Sequence, residues 1–183
     1  MPAPALQTLP DHLRLGLAIV SIGLNPSVMS ARKGFYFANP RNRFWSALNS
    51  SGLADEALEP GREAVERLFE RYAIGFTDLV KHATPGLADL KPEDFRAGAP
   101  VLKEKLERYA PRIAWFHGKE TYRRYLRYGE GVRAEFELGL QQAPIGESRV
   151  FVTPSPSPAN AAVSLGELVE WYRRLKTLRD SIP

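Results

Sequence analysis

The stretch VSIGLNPS (residues 20–27) starts as an apolar run and stops at an asparagine, a proline and a serine. Val20 and Ile22 are β-branched residues of the kind that fill a buried strand. Asn-Pro is a turn signal, because proline cannot donate to a ladder and asparagine bonds readily to nearby backbone. The segment therefore reads as a strand that delivers a polar loop at its carboxyl end. RVFVTPSPSPAN (149–160) repeats the event near the other end of the chain. Two strands that end in such loops point to one shared site.

Outward from these two segments, short apolar runs alternate with helical patterns. Leu17–Gly23, Ala73–Thr77, Ile113–His117 and Val150–Thr153 read as strands, bounded by Gly, Pro or polar residues. Helical spacing marks 42–52, where Phe44, Ala47 and Leu48 share a face ahead of Gly52. It also marks 62–72, with Val65, Leu68, Phe69 and Tyr72 in register. Segment 92–109 opens on Pro92 with acids at Glu93 and Asp94, as a helix N-terminus favours. A shorter helix is expected over 119–128. The last, over 164–182, begins with Ser164 and Glu167 in capping-box spacing and carries a stripe of Leu168, Trp171, Leu175 and Leu178. Strands separated by helices call for a mostly parallel sheet covered on both faces. The fold expected is a three-layer α/β/α sandwich, one domain over residues 1–183. In such sheets ligands bind beyond the carboxyl ends of the strands, where the strand order reverses.

Composition narrows the chemistry. A chain of 183 residues can bury about 70% of the surface its unfolded form exposes, so it needs no staples. It contains no cysteine, which excludes disulfides and thiolate-held metals, and its three histidines, His12, His82 and His117, lack ligand spacing. No metal and no cofactor are expected. Lys and Arg outnumber Asp and Glu by 25 to 21, a formal charge of +4 that suits an anionic partner such as nucleic acid. Apolar runs fall far short of the ~20 residues that span a bilayer, so no membrane partner is expected. The opening residues carry no basic segment ahead of an apolar one, so a cytoplasmic protein, nucleoid-associated if bacterial, is expected; a monomer is expected as well.

The loop after the first strand, VMSARKGFYFANPRNRFW (28–45), packs Phe35, Tyr36, Phe37, Phe44 and Trp45 among Arg32, Lys33, Arg41 and Arg43. Phe35 and Phe37 fit an edge strand or a loop anchor, and from the residues alone that is the plainer reading. Interleaved with arginines, they also fit a platform that stacks a base beside cations that meet phosphates.

GLNPS (23–27), GFYFANPRNRFW (34–45), GFTDLV (75–80), TPG (84–86), GK (118–119) and TPSPS (153–157) together resemble the mismatch-specific uracil-DNA glycosylases and their thymine-DNA glycosylase relatives, within the uracil-DNA glycosylase superfamily. The resemblance runs in order over most of the chain. It implies an enzyme that flips uracil, with related damaged pyrimidines as an open extension, out of DNA. The enzyme then hydrolyses the N-glycosidic bond and leaves an abasic site. Asn25 matches the residue that positions the attacking water, a role an amide oxygen can fill by orientation though not by basicity. Phe37 matches the aromatic that stacks on the flipped base, with Leu24 and Phe35 beside it.

A carboxylate near that water has three candidates. Asp89 ranks first as an auxiliary base, Asp78 second, and Asp94 third because helix capping already accounts for it. DNA contacts are expected from Ser27, from Lys119 at a helix start, and from Pro154, Ser155, Pro156, Ser157 and Asn160 in the second loop. There the relatives carry a leucine wedge and an arginine, whereas this chain has Pro156, Ser157, Pro158 and Ala159. The departure argues against strict preference for uracil opposite guanine. His117 reads as hydrogen-bonded scaffold, and the basic residues of the last helix as its solvated face. Two other classes stay open: an N-glycosidase acting on free nucleosides or nucleotides, and a non-catalytic module that binds damaged DNA.

Overall fold

The computed structural model describes residues 7–183. Residues 1–6, the head of the stretch expected to carry no basic leader, lie outside the described residues. Among the described residues five strands form one sheet: β1 (Ile19–Gly23), β2 (Ile74–Asp78), β3 (Ile113–His117), β4 (Gly139–Leu140) and β5 (Arg149–Thr153). Their order is β2-β1-β3-β5-β4; the first four neighbours run parallel, and β4 is an antiparallel edge. The other edge, β2, is closed by His12, whose backbone exchanges hydrogen bonds with Phe76, so neither edge offers a long unpaired ladder.

Helices cover both faces. On one side α2 (Phe44–Ser51), α3 (Arg62–Arg71) and α6 (Leu165–Ser181) bury Phe44, Leu48, Leu68, Leu168 and Tyr172 against Ile19, Phe76 and Trp115. On the other, α4 (Pro92–Tyr109) and α5 (Lys119–Tyr125) bury Phe95, Leu102, Leu106, Tyr122 and Tyr125 against Val20, Ile22, Phe116 and Val152. This is the three-layer α/β sandwich expected. Because β1 is buried on both faces, it reads as an apolar run and not as an alternating one, interrupted by Ser21, whose Oγ lies 2.8 Å from His117 Nε2. Among the described residues no helix is long and apolar enough to cross a membrane.

The caps sit where the side chains predict them. Ser164 Oγ accepts from Glu167 N at 3.1 Å while Glu167 Oε2 accepts from Ser164 N at 2.8 Å, and Asp94 Oδ2 accepts from Lys91 N at 2.7 Å. Elsewhere the structure departs from the reading. A six-residue helix, α1 (Val28–Lys33), follows β1 directly, a 3-10 turn spans Leu87–Asp89, and the short β4 completes the sheet. The helix expected over 119–128 stops at Tyr125 and unwinds into a wider turn through Glu130, held by Tyr125 Oη donating to Glu130 Oε1 at 2.6 Å. Phe35 and Phe37 lie in turns, not on an edge strand.

From β1 the chain passes to β2 on one side and then crosses to β3 on the other. The reversal therefore lies at the carboxyl end of β1, where Asn25 leaves the sheet.

Candidate active site

The Asn25 loop is braced by the chain beyond β2. Gly23 O and Leu24 O accept from Leu79 N and Val80 N, both at 2.9 Å, and Pro26 O accepts from Thr84 N at 3.3 Å. The pairing of β1 with β2 thus continues past both strands. Asn25 Nδ2 donates to His82 O at 3.1 Å and to Thr84 Oγ1 at 2.8 Å. A backbone carbonyl only accepts, and Thr84 Oγ1 itself donates to Gly86 O at 3.0 Å, so the atom facing both must be the amide nitrogen. Asn25 Oδ1 is left as a fixed acceptor with no protein partner among the described residues. The TPG turn carries one more link: Asp89 Oδ2 accepts from Gly86 N at 3.1 Å. Asn25 and Asp89 are held by the two ends of a single turn.

Phe37 is half-buried and stacks on Phe44, with ring centroids 4.0 Å apart and planes inclined by 14°. Its backbone φ of 58° is left-handed, a conformation that costs a residue with a side chain about 1–2 kcal/mol. Such strain persists only where the surroundings over-determine it. Here Ser30 Oγ accepts from Ala38 N at 3.1 Å, Tyr36 is buried with its O accepting from Trp45 Nε1, and Phe44 lies beneath the ring. Edge-on to Phe37, at 5.2 Å, stands His117. Burial pushes its imidazole down to about 3, so it stays neutral; Nε2 is 2.8 Å from Ser21 Oγ, while Nδ1 has no partner among the described residues. The ring packs among Phe37, Phe44, Trp115 and Tyr172.

Asp78 ends β2 in register with Gly23. Parallel neighbours in register share a face, so its carboxyl leans over β1, and Oδ1 lies 2.7 Å from where a Cβ on Gly23 would stand. Glycine is required there because the carboxylate occupies the side-chain space. Burial pushes Asp78 up to about 6, Lys81 pulling the other way, and Oδ2 has no hydrogen-bond partner among the described residues. Asp89, in contrast, is exposed. A cavity of about 490 Å³ between the end of β2 and α4 reaches Asp78 but neither Asn25 nor Phe37. We place the site by the convergence at the strand ends, not by that groove.

The two loops do meet. Arg43 N donates to Pro156 O at 3.1 Å, and its guanidinium donates to Ser157 O at 3.1 Å, to Asn160 O at 2.8 Å and to Val163 O. Nothing in the sequence separates Arg43 from its neighbours Arg32, Lys33 and Arg41, because its partners lie more than 110 residues away; the other three remain at the surface or its margin. The same separation hid Thr84, which anchors Asn25 across 59 residues. Within the second loop, Ser155 Oγ accepts from Ser157 N and Ser157 Oγ from Ala159 N, both at 3.2 Å, and Asn160 Nδ2 donates to Ser155 O at 3.1 Å. Pro154 and Pro156 are buried, which leaves Ser157, Pro158 and Ala159 as the tip.

Other expected contacts take up different places. Ser27 is the N-cap of α1, with Oγ accepting from Ser30 N and donating to Ser30 Oγ, both at 3.0 Å. Leu24 packs on the α4 face, opposite Phe37, while Phe35 packs on the same face as Phe37. Lys119 Nζ lies 3.5 Å from Glu137 Oε2, an almost fully exposed partner, so the pair is screened and can exchange.

Residues 10–176 match the uracil DNA glycosylase superfamily. A solution NMR structure of a candidate uracil DNA glycosylase from Methanosarcina acetivorans is similar in fold, with a TM-score of 0.60 and 24% sequence identity over 93% of this chain and 98% of that one. A sheet reversed at β1, an asparagine fixed at its carboxyl end and a family match over nearly all the described residues lead to one conclusion: the chain belongs to the uracil DNA glycosylase superfamily, a family of DNA glycosylases.

Proposed function

We propose that this protein is a monofunctional, mismatch-type uracil-DNA glycosylase, acting as a single domain on uracil flipped from DNA. The observation that carries the reading is the anchored amide of Asn25, which turns a fixed oxygen away from its own protein partners. A water held by that oxygen attacks C1′ of the sugar; the C1′–N1 bond breaks with its electron pair going to the base, and the water's proton passes to a carboxylate. Asp89, tied to the turn that holds Asn25, is the proposed acceptor. Asp78, buried at the strand ends, provides negative charge against the oxocarbenium-like sugar and is the alternative acceptor. Phe37, backed by Phe44, stacks on the extruded base, where each such contact is worth ~1–3 kcal/mol. Backbone donors of the Phe35 and Leu24 turns meet the base's carbonyl edges. Ser27, Lys119 and the segment Pro154, Ser155, Pro156, Ser157 and Asn160 border the DNA path.

The second loop sets the substrate range. Its tip offers no large apolar side chain to fill the gap left by a flipped nucleotide, so extrusion is assisted little, and unpaired or weakly paired uracil is favoured. The test is a single-turnover panel of oligonucleotides with uracil opposite each base and in single strands, beside free deoxyuridine, at two salt concentrations. Release from the oligonucleotides, weakened by salt and absent for deoxyuridine, is expected. Release from deoxyuridine alone would overturn the reading in favour of a small-molecule glycosidase, and no release from any substrate would overturn catalysis itself.

A further inference from the structure

Beside the site, four charged side chains form a chain that the reaction as described does not use. Lys105 Nζ on α4 lies 2.6 Å from Asp11 Oδ2; Asp11 Oδ1 lies 2.7 Å from Lys81 Nζ; and Lys81 Nζ lies 3.6 Å from Asp78 Oδ2. Thr77 Oγ1 also donates to Asp11 Oδ1 at 2.7 Å. Lys81 is thus drawn to Asp11 and stops short of a hydrogen bond with Asp78, whose Oδ2 is buried and has no hydrogen-bond partner among the described residues. Its amine is further held by Tyr36 Oη at 3.4 Å, and that hydroxyl is fixed by donating to Pro10 O at 3.0 Å.

We propose that Asp11 and Lys81 are positioning residues for Asp78: Asp11, anchored by Lys105, holds the Lys81 cation close enough to keep the Asp78 carboxylate charged but too far to occupy its free oxygen. The inference rests on Asp78 acting in the site, as proposed above. The groups that face Asp78 are Lys81 from its own loop, Asp11 from the segment before β1, Lys105 from α4 and Tyr36 from the loop after α1; β1 presents only Gly23. Burial raises the Asp78 carboxyl, Lys81 and Lys105 lower it, and Asp11 adds to the rise. Asp11 itself is held low, since Lys81, Lys105 and Thr77 together outweigh its burial.

The two substitutions therefore act in opposite directions. Lys81→Met removes the compensating cation and moves the acid limb of the pH–rate profile up by about one unit, the lower end of what a neighbouring opposite charge supplies. Asp11→Asn removes a like charge and frees Lys81 to pair with Asp78, which moves the limb down and lowers the plateau. Lys81→Arg restores the wild-type limb. A merely structural role would lower the rate at every pH without moving either limb.

The experiment is single-turnover excision of uracil from a U·G duplex between pH 5 and 9 for wild type, Lys81→Met, Lys81→Arg, Asp11→Asn and Asp78→Asn. Carbon NMR titration of the Asp78 carboxyl in wild type and Asp11→Asn accompanies it. Opposite shifts of the limb, matched by the carboxyl titration, are expected. If Asp78→Asn abolishes the limb but Lys81→Met and Asp11→Asn leave it in place, the positioning proposal fails while the role of Asp78 stands. If Asp78→Asn retains the wild-type rate and limb, both fail. Should Lys81→Met not fold, the carboxyl titration decides, and an Asp78 signal that does not move downward in Asp11→Asn overturns the proposal.

Discussion

Asp78→Asn is expected to make the protein more stable and the enzyme worse. In the unfolded chain this carboxyl ionises with a value of 3.8, whereas in the fold burial pushes it up to about 6. Between those values the folded state holds more protons than the unfolded one, so stability falls as pH rises through this window and levels off above it. The difference of roughly two units corresponds to ~3 kcal/mol at neutral pH, at 1.36 kcal/mol per unit. Asparagine keeps the shape, carries no charge and removes that cost. The gain should therefore be about 3 kcal/mol or less near pH 7.5 and about 1 kcal/mol at pH 4.5. At ~2–4 °C per kcal/mol for a chain of this size, the midpoint should rise by roughly 6–12 °C at pH 7.5. Thermal and urea unfolding at the two pH values, together with excision rates, measure both sides. An Asn variant less stable than wild type at pH 7.5, or a gain independent of pH, would refute the argument that Asp78 is a buried charge whose burial Lys81 offsets only in part.

Other consequences are separable. Thr84→Val removes the acceptor that orients the Asn25 amide, so excision should fall about 10-fold or more with DNA affinity nearly unchanged, measured by single-turnover rate and fluorescence anisotropy. Phe37→Ala should cost ~1–3 kcal/mol in recognition of the flipped base, and Phe37→Gly should show the same loss with the backbone strain relieved; unfolding of both variants would assign the ring to packing alone. Asp89→Asn should lower excision by a similar factor from single strands, U·A and U·G pairs, because a base for water acts after flipping. Ser157→Leu should raise activity chiefly in well-paired duplexes, and strict confinement of the native enzyme to U·G pairs would contradict the argument from the loop tip.

The layered fold was legible because its signals are local. Ile19 on one face with Val20 and Ile22 on the other mark a strand buried on both sides, Phe44 and Leu48 mark an inward helix face, and Ser164 with Glu167 marks a helix start; each is found in place. Elements too short to carry a period were not legible: α1 has six residues and β4 has two. Ser27, expected among the DNA contacts, is also the residue that caps that short helix. Candidate residues could be proposed from order and type, but not the contacts that hold them. Thr84 behind Asn25, Arg43 behind the second loop, and Asp11 with Lys81 beside Asp78 act through contacts between distant segments, which no spacing in the chain displays. The pairing Ile22↔Thr77, Gly23↔Asp78 is likewise a matter of register, and it is register that sets Asp78 over glycine.

The central claim is that Asn25 acts by orienting water and not by binding DNA. Its most direct test compares wild type and Asn25→Ala on a uracil-containing duplex, with single-turnover excision and DNA affinity measured on the same preparation. The account predicts a fall in rate of about 10²-fold or more with affinity almost unchanged. An Asn25→Ala variant that excises uracil at the wild-type rate, or one whose loss is wholly a loss of DNA binding, would contradict it.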